Sequence, residues 1–211
     1  MRALIVVDVQ NDFLPGGALA VSGGDQIVSV INRLIKEFPV VVATQDWHPV
    51  DHGSFAANHQ KQPGEMIVLD GLDQVLWPIH CVQESVGAEL SSELDAEGIH
   101  ETIVKGTRSE IDSYSGFFDN GHRQQTELHE YLQSRGVDEV FIVGLATDYC
   151  VKFTALDAAK LGYKTILVID ACRGVDLNPG DVDAAIEQMR QAGVQVKHSE
   201  ECYESEKQER G

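Results

Sequence analysis

Hydrophobic positions along this chain fall into short unbroken runs separated by helical stripes, the pattern of strands covered on both faces. Ala3 to Val9 is rich in Leu, Ile and Val without alternation, which predicts a buried parallel strand. Asp25 then opens a helix with Ile27, Ile31, Leu34, Ile35 and Phe38 on one stripe, closed by Pro39, and Val40 to Thr44 follows as a second strand. Val86 to Leu94 reads as a short helix and Thr102 to Lys105 as a short strand. Gln124 to Arg135 reads as a helix with Leu128, Tyr131 and Leu132 inward, stopped by Gly136. Glu139 to Gly144 is a strand that leads into VGLATDYCV. A helix runs from Cys150 through Phe153, Leu156, Asp157 and Leu161 to Gly162, before a strand from Lys164 to Ile169 that Asp170 ends. A helix from Asp181 to Ala192 and a strand from Val194 to His198 complete the order. Alternating strands and helices predict an α/β fold, an open, mostly parallel sheet of about six strands with helices on both faces.

Three stretches break this rhythm. Gln10 to Gly24 is rich in Pro and Gly, with Phe13 and Leu19 as apolar exceptions. Gln45 to Glu65 is a long loop holding three of the eight histidines, and loops of that length inside a domain are commonly functional. GTRSEIDSYSGFFDNGH is long and polar, with Tyr114, Phe117 and Phe118 clustered in it. Asp8, Asp46, Lys105 and Cys150 all fall at or just beyond predicted strand ends. In open α/β sheets ligands bind beyond that edge, so the four residues converge on one expected site.

Length and charge narrow the function classes. The 211 residues suit one domain, 1–211, without repeat or linker, and with a charged tail over residues 200–211 that is expected to fray. A net charge of −18, from 34 acidic and 16 basic residues, argues against nucleic acid and against an anionic membrane surface. Small neutral partners fit better. The opening MRALIVVDVQ resembles neither a signal peptide nor a membrane span, so a cytoplasmic location is expected. Four scattered cysteines, Cys81, Cys150, Cys172 and Cys202, lack the density of a disulfide scaffold and read as reduced thiols.

Cys150 reads either as a small buried hydrophobe or as a nucleophile whose thiolate is favoured by backbone N–H groups at a helix start. With Asp8 as proton acceptor and Lys105 as supporting cation, the three make a nucleophilic site without a histidine base. Asp46 and His48 are two apart and point to one side of an extended segment; His52 follows four later, and His80 stands in a separate turn. A carboxylate with two or three imidazoles is the ligand set of a Zn, Fe(II) or Mn site with an open position.

VDVQNDFLPGGAL, TQDWHP, WPIHC, the Lys105 strand, DSYSGFFDNG and GLATDYCV, in this order, resemble the nicotinamidase/pyrazinamidase branch of the isochorismatase-like cysteine hydrolases. The likeness runs from about Leu4 to Val175 and implies a Rossmann-like three-layer fold. It implies a catalytic triad of Asp8, Lys105 and Cys150, and one divalent metal on Asp46, His48 and His80. His52 matches an additional ligand found in some relatives, with Asp51, His59 and Glu65 as substitutes. Phe13, Leu19, Trp77 and Tyr114 match positions that wall a ring pocket. A cis peptide between Leu145 and Ala146 is implied as well, turning the Ala146 N–H, with that of Cys150, toward an oxyanion. The implied reaction is hydrolysis of nicotinamide to nicotinate and ammonia through a thioester, a step of NAD salvage, with pyrazinamide as a further substrate. Relatives are monomers or small homo-oligomers. The alternatives are another hydrolase of the superfamily, such as an isochorismatase or a carbamoyl amidase, and a metal-binding or redox-sensing protein using Cys150 as an oxidation site.

Overall fold

The first strand shows why its sequence lacks alternation: Leu4 and Val6 enter one apolar cluster, while Ala3, Ile5 and Val7 enter another on the opposite face. The computed structural model describes residues 1–203. Its strands are β1 (Arg2–Val7), β2 (Val40–Asp46), β3 (Met66–Leu69), β4 (Leu72–Val75), β5 (Glu101–Lys105), β6 (Glu139–Leu145), β7 (Lys164–Arg173) and β8 (Gln195–Lys197). Its helices are α1 (Val28–Ile35), α2 (Leu128–Ser134), α3 (Lys152–Lys160), α4 (Asp181–Gln191) and α5 (Ser199–Tyr203). Six strands form one sheet in the order β5-β2-β1-β6-β7-β8, every pair parallel. Residues of α1 and α5 pack in one cluster and residues of α2, α3 and α4 in the other, so the sheet is covered on both faces.

The chain order sets the position of the site. From β1 the sheet grows outward through β2 to β5, then the chain returns to place β6 against the other side of β1. The carboxyl ends of β1 and β6 therefore face each other at the point where strand order reverses, the crevice in which open α/β sheets bind ligands. At this point Gly144 has φ +115°, and a Cβ there would lie 2.0 Å from the Val7 carbonyl oxygen. Only glycine permits that approach of β6 to β1.

Several predicted elements are shorter, longer or absent. Over Val86 to Leu94 only Val86–Ala88 forms a 3₁₀ turn. Backbone hydrogen bonds there run across to the chain after β1, with Asn11 N–H on the Glu89 carbonyl and Ser91 N–H on the Val9 carbonyl, and a continuous helix would forgo them. The predicted helix over Gln124 to Arg135 begins at Leu128, because Gln124 to Thr126 pair back onto Phe117 to Asp119. Asp170 does not end β7: a bulge against β6 carries the strand to Arg173, and Asp170 instead accepts the Ser199 N–H at the start of α5. Residues 200–203 of the expected tail belong to α5, and 204–211 lie outside the described residues. The β3–β4 hairpin, too short for a clear period, was not foreseen. Among the described residues no helix is long and apolar enough to cross a membrane.

Candidate active site

Strand ends deliver the charged groups, and burial makes their pairing obligatory. Asp8 follows β1 with φ +49°, turning the chain away from the sheet while its carboxylate stays fully buried. Thr44 Oγ1 donates to Asp8 Oδ1 at 2.6 Å. Lys105, the last residue of β5, places its Nζ 2.9 Å from Asp8 Oδ2, 2.5 Å from Asp46 Oδ1 and 3.4 Å from Cys150 Sγ. It also donates to the Ser113 carbonyl at 2.9 Å. One ammonium thus joins residues from β1, β2 and the turn after β6.

Cys150 lies in that turn. The Leu145–Ala146 bond is cis, as the sequence resemblance implied, and Thr147–Val151 forms a π-helical turn before α3. The thiol is buried, and oxygens of Asp8 and Asp46 lie with Cys150 Sγ inside a span of 4.8 Å.

Charge states follow from this crowding. Burial opposes charge on Lys105, but Asp46 and Asp8 outweigh it and hold the amine protonated well above its ordinary value. Burial likewise opposes charge on Asp46, but Lys105 and then His48 keep its carboxyl below the usual range. Asp8 is raised by burial against the pull of Lys105. Cys150 is raised well above an ordinary thiol, first by burial and also by the two carboxylates. A helix start favours the thiolate, while burial and the two carboxylates work against it, which agrees with the expected role of Asp8 as proton acceptor. One cation shared by three acidic groups leaves a proton on the Asp8–Cys150 pair, so the thiol needs a base at the moment of reaction.

The second set faces the same space. Asp46, His48 and His80 are buried, and one ligand atom from each lies within 4.8 Å of the other two. His48 donates Nδ1–H to the Gly106 carbonyl at 2.8 Å and His80 donates to the Pro78 carbonyl at 2.8 Å. In the neutral rings each Nε2 therefore keeps its lone pair, the usual preparation of a metal-binding imidazole. Gly106 is needed for this packing, since a Cβ there would lie 2.4 Å from the His48 ring. Burial, then the neighbouring His48, pushes His80 down to about 4, so it is neutral at neutral pH. For His48 the Asp46 carboxylate outweighs burial and raises the pKa. An ionised carboxylate with imidazoles in this arrangement fits a divalent transition ion.

His52 stands beside this set and groups differently. Its ring centroid is 4.2 Å from that of His48, and its donor atoms fall with those of His48 and Asp112. Its Nδ1 meets Ser54 Oγ at 2.7 Å, and its buried Nε2 has no hydrogen-bond partner among the described residues. Asp51, His59 and Glu65 are exposed; His59 bonds the Gly53 carbonyl and Glu65 pairs with Lys61.

Between the two sets lies a cavity lined by Phe13, Leu19, Trp77 and Tyr114, with Ala146 and Cys150 at its reactive end. Trp77 Nε1–H donates to the Tyr114 hydroxyl at 3.1 Å, and Gln74 of the unforeseen hairpin donates to the same oxygen at 2.9 Å. Tyr149 meets Trp77 edge-on at 4.8 Å between ring centroids. Tyr149, Val175 and the buried carboxylate of Asp112 also line the cavity, and the sequence reading did not single them out. Asp112 had one signal, an acid in the polar loop after the strand-end lysine.

Fold and site together define a class: an open parallel α/β protein with a cysteine, lysine and aspartate joined at the switch point beside a carboxylate–histidine set. The chain belongs to the isochorismatase domain family, whose model matches residues 2–201, and it is a hydrolase of that family. It is similar to the nicotinamidase of Escherichia coli (strain K12), 52% identical over 197 residues covering 92% of each chain. Among solved structures it resembles a nicotinamidase/pyrazinamidase of Acinetobacter baumanii, with TM-score 0.93 and 50% identity over 95% of this chain and 97% of that one. It also resembles a pyrazinamidase of Pyrococcus horikoshii in complex with zinc, with TM-score 0.77 and 38% identity over 93% of this chain and 98% of that one.

Proposed function

We propose that this protein hydrolyses nicotinamide to nicotinate and ammonia through a thioester on Cys150, serving NAD salvage and accepting pyrazinamide as well. The observation that carries this reading is the reach of Lys105 Nζ to Asp8, Asp46 and Cys150 at once. It gives the thiol a base and a cation in one buried cluster. The apolar cavity suits a flat uncharged ring, and the E. coli relative is a nicotinamidase.

Trp77, Tyr114, Phe13 and Leu19 hold the ring so that the carboxamide carbon meets Cys150 Sγ. Asp46, His48 and His80 would hold a divalent metal, zinc being favoured by the Pyrococcus horikoshii relative, with iron and manganese as other candidates and His52 as a further ligand. When bound, that ion supplies a Lewis-acidic anchor for the ring nitrogen, which orients the amide. Asp8 takes the Cys150 proton, and the sulfur attacks the amide carbon while Lys105 offsets the developing negative charge. The N–H groups of Ala146 and Cys150 receive the oxyanion. As the tetrahedral intermediate collapses, Asp8 returns its proton to the nitrogen and ammonia leaves. Asp8 then takes a proton from water, whose oxygen attacks the thioester carbon. As the C–S bond breaks, Asp8 passes its proton to the leaving sulfur, which restores the thiol and the free carboxylate, and the acid formed loses its proton to solvent as nicotinate. We place this single-domain protein, residues 1–211, in the cytoplasm, where its free cysteines stay reduced.

The test is ammonia release from nicotinamide by the purified protein supplied with zinc. Release is expected at ordinary enzymatic rates; none, with iron and manganese tried in turn, would overturn the reading. His48→Ala is expected to lower metal affinity by more than the roughly 100-fold that loss of an outer hydrogen-bond partner costs, and to raise KM, because it removes a ligand while leaving Cys150 and Asp8 untouched. Full metal occupancy in that variant, by elemental analysis, would remove His48 from the ligand set.

A further inference from the structure

We propose that Gln10 is a positioning residue that fixes the Asp46 carboxylate by completing the sheet with its side chain. In a β-strand, residues two apart send their N–H and C=O groups to the same side. Thr44 faces β1, since its carbonyl accepts from Asp8 N–H at 3.3 Å. Asp46 therefore faces the same way. The backbone of β1, however, has ended there: its last pairing with β2 is Val7 with Thr44, and the positive φ of Asp8 swings the chain aside. The next rung would be empty, with a buried N–H and a buried C=O left unpaired.

Gln10 fills that rung. Its Oε1 accepts from Asp46 N–H at 2.8 Å, and its Nε2 donates to the Asp46 carbonyl at 2.8 Å. The second hydrogen of Nε2 goes to the Ala88 carbonyl at 2.8 Å. At 0% exposure both amide hydrogens and one lone pair of the amide oxygen are taken, and its orientation is unique, because reversal would set oxygen against two carbonyls. On its other side Asp46 pairs with Lys105 of β5. The Asp46 N–H and C=O are thus held by the Gln10 side chain, while on the β5 side the next residue, Trp47, donates its N–H to the Lys105 carbonyl at 2.9 Å. This matters because the Asp46 carboxylate has two tasks: Oδ1 meets Lys105 Nζ at 2.5 Å, while Oδ2 faces His48 Nε2 at 3.7 Å. A small rotation of the peptide would favour one task over the other. Among the described residues the Gln10 side chain makes no hydrogen bond to Lys105 or to the histidines, so it acts through Asp46.

This inference rests on the metal reading of Asp46, His48 and His80. The experiment compares zinc affinity, by competition with a chromophoric chelator, in wild type, Gln10→Met, Gln10→Asn and Asn11→Ala. Gln10→Met keeps the side-chain length and loses all three hydrogen bonds; zinc affinity is expected to fall 10- to 100-fold, with kcat/KM falling too. Gln10→Asn keeps the amide but is too short for the full set, and a smaller loss in the same direction is expected even if the Met variant fails to fold. Asn11→Ala removes a neighbouring tie, Asn11 Nδ2 to the Val86 carbonyl at 2.7 Å, that does not reach Asp46. Its zinc affinity is expected to match wild type. Unchanged affinity in both Gln10 variants, or equal losses in the Gln10 and Asn11 variants, would overturn the positioning role while leaving the metal site standing. Failure of the wild type to bind zinc would instead overturn the metal reading and this inference with it.

Discussion

Replacing Cys150 by alanine is expected to abolish ammonia release from nicotinamide, with kcat falling by roughly 10⁴-fold or more, as when a covalent nucleophile is removed. The expectation follows from position. Cys150 Sγ is the polarisable atom at the reactive end of the cavity, 3.4 Å from Lys105 Nζ and grouped within 4.8 Å of the Asp8 and Asp46 carboxylates. Its thiol is held protonated by burial, so its reactivity depends on Asp8 receiving the proton. A second cysteine is a sharp control: Cys172 is equally buried, sits in β7 and donates weakly to the Val168 carbonyl. Cys172→Ala is expected to keep activity. Turnover persisting in Cys150→Ala would remove the thioester. Trapping of a nicotinoyl group by hydroxylamine in wild type, and its absence in the variant, would locate the intermediate on this sulfur.

Lys105→Met is expected to remove activity and also to destabilise the fold by about 3–5 kcal/mol, the scale of breaking a buried ion pair from one side. Methionine preserves most of the stem volume, so the loss reports charge and not a cavity. The side chains of Lys105 and Asp8 are both 0% exposed and that of Asp46 only 6%, which leaves the two carboxylates without water to replace the ammonium. Denaturant unfolding measures the effect as a shift in midpoint at unchanged slope. A second substitution separates stability from chemistry. Lys105→Met combined with Asp8→Asn removes one of the stranded charges and is expected to regain part of the stability, but none of the activity, since the base is gone as well. An unaltered midpoint in the single variant would mean that the cluster is solvated and the ion pair weak. Activity in the single variant would remove Lys105 from the proposed mechanism.

The two experiments probe groups that the sequence marked unequally well. Cys150 and Lys105 were readable because each ends a local pattern: an apolar run stops, and a polar residue stands where the strand leaves the sheet. Asp8 and Asp46 have the same signature. Asp112 and Gln10 have none of comparable strength. Gln10 sits in a loop whose neighbours are Pro and Gly, and its three hydrogen bonds reach residues 36 and 78 positions away. Such partners cannot be inferred from spacing. The shortened elements teach the same lesson in reverse. Val86 to Leu94 has helical spacing, yet its backbone groups find better partners on the chain after β1, and tertiary pairing overrides local preference.

By itself the sequence determined the class of the fold, the six strands of the main sheet in chain order, and the edge at which chemistry would gather; their lateral order and the β3–β4 pair came only with the tertiary structure. The physical reason is that burial on both faces writes itself locally, as runs without alternation, and a charge ending such a run is visible at once. Only the tertiary structure decided how the charges share protons. The sequence suggested a thiolate favoured by a helix start, with Asp8 as proton acceptor; in the folded site burial and two carboxylates raise the thiol above its ordinary value against the pull of a single ammonium. Likewise the sequence placed His52 among the metal candidates, and the structure sets its donor atoms with His48 and Asp112. Proton sharing and ligand grouping depend on distances of a few ångströms between groups far apart in the chain, and those distances exist only after β2, β5 and β6 have closed around β1.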